Sequence, residues 1–263
     1  MTISNDLKIW MRSGSWEFAW GKPTSKTRED VRVYRWKGIP IHYRPGTTDK
    51  GAIYEILIRS EKSAEYHVPK YLRPDVILDI GGHIGTASIF LANRFPNAQI
   101  YTFEPLPDNF FLLAKNLEQL GNVKAFPFAL GDKKGEFDLY ACEDETNLGG
   151  YSLHDRPSDG INAGIDLSKK ITVEVKPVSK ILADLGISKI DIIKIDTEGS
   201  EFDILTSIDP DILGRVQWIM GELHGVRDFQ LLAYLSRWFD LEVHKKLNSH
   251  LFLFHARNKT VQY

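Results

Sequence analysis

Four places in this 263-residue sequence put acids, glycines or a histidine where an apolar run stops. Asp79, Gly81, Gly82 and Gly85 follow the run in "VILDIGGHIG", and Glu104 closes "IYTFEP". Lys194, Asp196 and Glu198 close "IIKIDTEG", and Glu222 and His224 close "WIMGELH". Short apolar runs of this kind read as buried strands that deliver polar side chains to one edge of a sheet. A glycine-rich turn between such a strand and a helix gathers backbone N–H groups and the positive helix end at one point, a natural seat for a small ligand. Glycines there let the backbone approach that ligand with no Cβ in the way.

Two ligand classes compete for the seat. A dinucleotide fingerprint starting at Gly81 needs glycine at 83 and 86, where the chain has His83 and Thr86; starting at Gly82 it fails at Ile84 and Ala87. Asp79 would also meet a pyrophosphate of like charge, whereas the ammonium and sulfonium of S-adenosylmethionine favour a carboxylate. Glu104 lies a little over twenty residues beyond Gly81, where an acid accepts both ribose hydroxyls. Asp79 as a plain helix cap and Glu104 as a solvated strand-end acid is the bland alternative, which the pair at this spacing makes the weaker. "ALGD" ends a third strand, so Leu130 and Asp132 are candidates for the adenine edge, although Gly131-Asp132-Lys133 is ordinary turn chemistry in any fold.

The second cluster reads as the reaction centre. Lys194 within an apolar strand requires an acid partner. Alternation puts Lys194 with Asp196, and Glu222 with His224, on shared faces. His224 is the candidate general base, because methyl transfer to an alcohol requires removal of the hydroxyl proton and imidazole titrates near neutrality. Asp196 could take that proton instead, or orient the cofactor, and Glu222 completes the catalytic set. Asp196, Glu198 and Glu222 would also suit a hard divalent cation, but acids around a cationic cofactor account for them equally well, so a metal is not favoured. No metalloprotease histidine spacing, Gly-x-Ser-x-Gly elbow or Walker loop is present.

The elements that must position these residues follow from the rest of the pattern. From Val76 onward, strands alternate with helical spacing, the signature of a mostly parallel α/β sheet. The expected strands are 76–80, 99–103, 123–129, 190–195 and 216–223. The chain ends in two apolar strands around Asn248-Ser249 with no helix between, an antiparallel hairpin. Residues 135–176 break the alternation as a β insertion around the loop "TNLGGYSLHD". Before the core, "VRVYRWKGIPIHYRP" reads as a hairpin and 51–70 as a helix, while Trp10, Trp16, Phe18 and Trp20 crowd an otherwise polar arm. Two parts are therefore expected: an N-terminal extension over 1–70 and a cofactor-binding domain over 71–263. The arm suits a lid, an acceptor wall, plain core packing or a dimer contact, which leaves a homo-oligomer open.

Composition bounds the partners. With 33 basic against 35 acidic residues and no basic run, nothing in the charge favours nucleic acid or a lipid surface. The single cysteine, Cys142, excludes an internal disulfide and a multi-cysteine metal site. The polar start and the lack of a long apolar run lead to an expectation of no membrane segment and a cytoplasmic location.

The motifs "ILDIGGHIG", "YTFEPLPDNFFLLAKNL", "ALGD", "TNLGGYSL", "IIKIDTEGSEFDIL" and "GELH", in this order, resemble the FkbM-type S-adenosylmethionine-dependent methyltransferases. "YRPGTTD" and Tyr66 resemble the family's preceding segment. The resemblance runs over roughly Ile41 to Ala256 and implies a class I methyltransferase (Rossmann-like) fold that methylates a hydroxyl of a small molecule, commonly a sugar, glycan or natural product. It implies that Asp79, Gly81 and Gly85 hold the methionine end, Glu104 the ribose, and that Asp196 with Glu198 borders the reaction centre. Gly82-His83 departs from the family, which often has alanine and asparagine there. Thr48, Asn147 and Tyr151 are the acceptor candidates. A non-catalytic cofactor-binding module and a nicotinamide-dependent sugar enzyme are the alternatives.

Overall fold

The computed structural model describes residues 5–22, 30–59, 66–142, 146–148, 151, 165–224, 227–245 and 252–261. Its centre is a seven-stranded sheet of order β11-β12-β10-β9-β3-β4-β5. The strands are β3 (Val76–Ile80), β4 (Gln99–Phe103), β5 (Val123–Phe126), β9 (Ile192–Ile195), β10 (Trp218–Leu223), β11 (Phe239–Lys245) and β12 (Phe252–Asn258). Strands β3, β4, β5, β9 and β10 run parallel; β12 enters antiparallel between β10 and β11. The mostly parallel sheet with an antiparallel C-terminal pair is as the sequence predicts. The turn expected at Asn248-Ser249 lies outside the described residues.

Both faces of the sheet are covered, which is why the central strands are apolar without alternation. Ile77 and Ile192 belong to one core with the helices α4 (Thr86–Arg94) and α5 (Pro107–Leu117). Leu78, Ile80, Ile193 and Ile195 belong to the other, with α6 (Val178–Asp184), α7 (Glu201–Thr206), the short α8 (Pro210–Leu213) and α9 (Asp228–Leu235). Successive residues thus serve opposite cores, as the twofold strand period requires.

The N-terminal elements join the first core. Helices α1 (Asn5–Ser13) and α2 (Trp16–Trp20) precede a hairpin of β1 (Arg32–Trp36) and β2 (Ile39–Tyr43), whose turn residues Lys37 and Gly38 both have positive φ. Phe18 stacks on Tyr34 at 4.5 Å, and both are buried with Ile41 and Ile77. Trp10, Trp16 and Trp20 instead contact one another, and Trp16 is 65% exposed.

Two expectations are corrected in detail, and the insertion is filled in. The helix predicted over 51–70 is α3 (Thr48–Ala52) running into a π-helix at Ile53–Ile58; beyond it, Val68 is buried in irregular chain ahead of Pro69, whose ring disfavours helix at the preceding residue. The third strand divides at Pro127, which cannot donate to a ladder. After β5, the short β6 (Ala129–Gly131) pairs with β8 (Ile165–Pro177), and β7 (Gly135–Cys142) pairs with the other edge of β8. The insertion is thus a second, three-stranded sheet standing beside the first.

Candidate functional site

The carboxyl ends of β3, β4, β9 and β10 converge on a cavity of about 410 Å3. Ile80, Gly81, Glu104, Leu130, Asp196, Glu198 and Glu222 line it from the sheet side. Thr48 and Glu55 line it from α3 and the π-helix, and Asn147 and Tyr151 from the insertion. All three acceptor candidates therefore face the cavity, and Thr48 is tied to the insertion: its N–H donates to the Thr146 carbonyl (2.9 Å) and its hydroxyl accepts from Leu148 N–H (3.1 Å).

The turn after β3 is built by close backbone packing. Gly81 has φ 83°, and a Cβ there would come 1.8 Å from the Asp196 carbonyl oxygen, so only glycine lets the β3 and β9 loops touch. The Gly81 and Gly82 N–H groups both donate to the Phe103 carbonyl. Glu104 then receives one backbone N–H at each oxygen, from His83 (2.8 Å) and Leu106 (3.0 Å). Burial raises the Glu104 carboxyl, and those two donors with the His83 charge only partly oppose it. His83 continues the wall toward α3: its Nε2 is 3.1 Å from Asp49 Oδ1, and Arg44 clamps Asp49 through Nε (2.7 Å) and Nη2 (2.9 Å). Burial alone would raise the Asp49 carboxyl, but the His83 and Arg44 contacts hold it far below the usual range.

Asp79, expected to hold the methionine end of the cofactor, is not among the residues that line the cavity. It is fully buried beneath the turn, its Oδ2 accepting from Ser88 (2.6 Å) and Thr102 (3.3 Å). Its Oδ1 lies 3.3 Å from Lys194 Nζ, the residue opposite it in the β3–β9 register. Lys194 has thus found its acid, and its ammonium also donates to the carbonyls of Ile80 and Gly81. Gly82, Gly85 and Asp132 are likewise outside the lining. Gly82 packs on Thr102 and Leu113, Gly85 is the N-cap of α4, and Asp132 is exposed on the turn after β6.

On the β9–β10 side, acids surround one imidazole. His224, the candidate base, is 2% exposed and is not among the residues that line the cavity; it sits against Glu222, which does line it. Its Nε2 lies 3.2 Å from Glu222, 3.7 Å from Asp196 and 3.7 Å from Glu198. Its Nδ1 lies 3.2 Å from Glu201 Oε1. Burial opposes the charged imidazole, but the Glu198, Glu201 and Glu222 carboxylates outweigh it and raise His224 well above its ordinary value. Glu198 is pushed up to about 7 by burial first, then by the charges of Asp196, Glu222 and Glu201, with His224 opposing. Glu198 sits at φ 55°, an uncommon conformation for a residue with a Cβ. Tyr66 reaches Asp196 Oδ2 with its hydroxyl at 3.0 Å.

Glu201 was not legible as a site residue. A glutamate in the first turn of a helix reads as a cap, and it does accept from Thr197 N–H (2.9 Å) and Gly199 N–H (3.3 Å). Its contact with His224, on another strand, is the part that no local pattern carries.

Residues 79–254, two thirds of the sequence, match the methyltransferase FkbM domain family. The chain belongs to this family. The sheet order, with its antiparallel strand second from the edge, is that of the class I methyltransferase fold which the resemblance implies. Among curated relatives, methyltransferase sdnD of Sordaria araneosa is 27% identical over 51% of this chain and 61% of its own length. The 31-O-demethyl-FK506 methyltransferase FkbM of Streptomyces tacrolimicus is 27% identical over 59% of this chain and 68% of its own. The 2-O-methyltransferase NoeI of Sinorhizobium fredii is 29% identical over 57% and 64%. The chain thus covers less than two thirds of the length of sdnD and NoeI. Among the described residues, no helix is long and apolar enough to cross a membrane.

Proposed function

We propose that the protein is an S-adenosylmethionine-dependent O-methyltransferase acting on a hydroxyl of a small molecule, a sugar, glycan or natural product. The observation that carries this reading is one cavity lined by Glu104, by the Gly81 turn, and by the three carboxylates of Asp196, Glu198 and Glu222. The cavity chemistry fits the cofactor. Glu104 keeps acceptor capacity at both oxygens for a pair of ribose hydroxyls, Gly81 leaves room where a side chain would stand, and the acids suit a cationic ligand. When bound, S-adenosylmethionine supplies an electrophilic methyl group.

The chain's own part is positioning and proton removal. Leu130 and Phe103 offer an apolar wall for a flat base, and Gly81 fixes the distance between the β3 turn and Asp196. An acceptor hydroxyl held between Thr48, Asn147 and Tyr151 faces the carboxylates, which take its proton. His224 and Glu201, behind, hold Glu222 and the Asp196 loop in place. The names of the FkbM and NoeI proteins, both for methylation at oxygen, support the oxygen acceptor, and the even charge balance of this chain fits a small acceptor better than a polyanion.

The test is a thermal-shift titration followed by a transfer assay. S-adenosylmethionine and S-adenosylhomocysteine should raise the melting temperature while NAD does not. Incubation with cofactor and a panel of glycosides and hydroxylated metabolites should yield products heavier by one methylene. Stabilisation by NAD alone would overturn the reading, and cofactor binding with no methylation of any hydroxylated acceptor would reduce it to a binding module.

A further inference from the structure

We propose that Asp196, Glu198 and His224 bind one divalent cation of the hard type, such as Mn2+ or Mg2+, in the wall of the cavity, with Glu222 beside the imidazole. The function proposed above enters only in what the cation would do, not in whether it binds. His224 Nε2 is enclosed and makes no hydrogen bond, yet three carboxylate oxygens from three different residues stand 3.2 to 3.7 Å from it. Glu201 fixes the ring from the other side: with Nδ1–H donating to Glu201, Nε2 presents a lone pair toward those carboxylates. Electron-rich atoms facing one point repel each other unless a proton on Nε2 or a cation lies between them, and an imidazole anchored through its second nitrogen on a carboxylate is the usual arrangement of a metal-binding histidine.

The spacing suits an ion. Ligands held about 2.1 to 2.4 Å from a cation are separated by roughly 3 Å at right angles and over 4 Å across it. The distances from Nε2 fall in that range, and donor atoms of Asp196, Glu198 and His224 lie within 4.8 Å of one another. Two carboxylates and one imidazole are ligands for Mg2+, Mn2+ or a related ion rather than for a thiol-seeking metal. Lys194, the ammonium of the next strand position, points instead to Asp79 and the turn carbonyls. Because Asp196, Glu198 and Glu222 line the cavity and His224 does not, open coordination positions would face the acceptor. There the cation would draw the acceptor oxygen and ease loss of its proton to solvent or a carboxylate. As the new O–C bond forms the C–S bond breaks, leaving a neutral thioether.

The experiment is a Mn2+ titration of chelator-treated protein, followed by loss of the free-ion paramagnetic signal. We expect one ion per chain on this site, bound at least tenfold more weakly by Glu198→Gln and Asp196→Asn, with unchanged binding in His244→Ala, which disrupts the separate Glu242, His244 and His255 group on β11 and β12. Circular dichroism of each variant checks the fold. Absence of Mn2+ binding, or equal affinity in Glu198→Gln, would overturn the proposal and leave His224 as a protonated imidazole among acids. Methyl transfer should fall at least tenfold in chelator and return with Mn2+ or Mg2+; full transfer in chelator would also overturn it. Mn2+ bound as expected by a protein with no affinity for S-adenosylmethionine would instead sink the methyltransferase reading and leave the ion site standing.

Discussion

The two halves of the sheet crest handle negative charge in opposite ways. On the β3–β4 side each acid has partners of its own: Lys194, Ser88 and Thr102 for Asp79, and two backbone N–H groups that partly offset burial for Glu104. On the β9–β10 side, Asp196, Glu198, Glu201 and Glu222 crowd a single imidazole. Gathering buried acids around one imidazole costs stability, and folded chains retain such arrangements chiefly where chemistry is done. In the function proposed above, the first half holds the cofactor and the crowded half does the chemistry.

The contrast can be broken by experiment. Lys194→Met should cause the largest change, because it leaves Asp79 buried and unpaired: about 3–5 kcal/mol lost in urea denaturation. A loss under about 1 kcal/mol would mean that Asp79 is not held by charge. Glu222→Gln should lower methyl transfer by about 100-fold or more while cofactor affinity, followed by calorimetry, stays within a few-fold. Equal effects on both would erase the division between holding and reacting halves. Glu104→Gln should do the reverse, weakening S-adenosylhomocysteine binding by about tenfold or more with little change in the melting temperature of the free protein. Smallest of all, Trp16→Ala should shift stability by less than about 1 kcal/mol, since that ring is mostly exposed and touches Trp10 and Trp20.

Sequence reading reached the fold because the pattern is local. An apolar run such as Val76–Ile80 followed by Gly81 reports both a two-sided burial and a ligand turn, and the C-terminal apolar pair reports an antiparallel ending. Alternation also brought Asp196, Glu222 and His224 to one edge. What escaped needed pairing across strands. Lys194 demanded an acid, but that the acid is Asp79 depends on the β3–β9 register, and this pairing removes Asp79 from the cavity. His224 looked like a reachable base because strand alternation gives a face but not a depth. Glu201 escaped because its local role as a helix cap fully accounts for its position. Pro127 was visible, yet whether it ends a strand or redirects it depends on the neighbouring sheet.

The contact between Gly81 and the Asp196 carbonyl has a mechanical result. Two loops whose main chains are pressed together cannot separate by rotating side chains, so the turn that seats one ligand and the loop that bears the acids travel as one piece. On the opposite wall, Thr48 is stitched to residues 146–148 by two hydrogen bonds, so the insertion is tied to α3 and not to the crest.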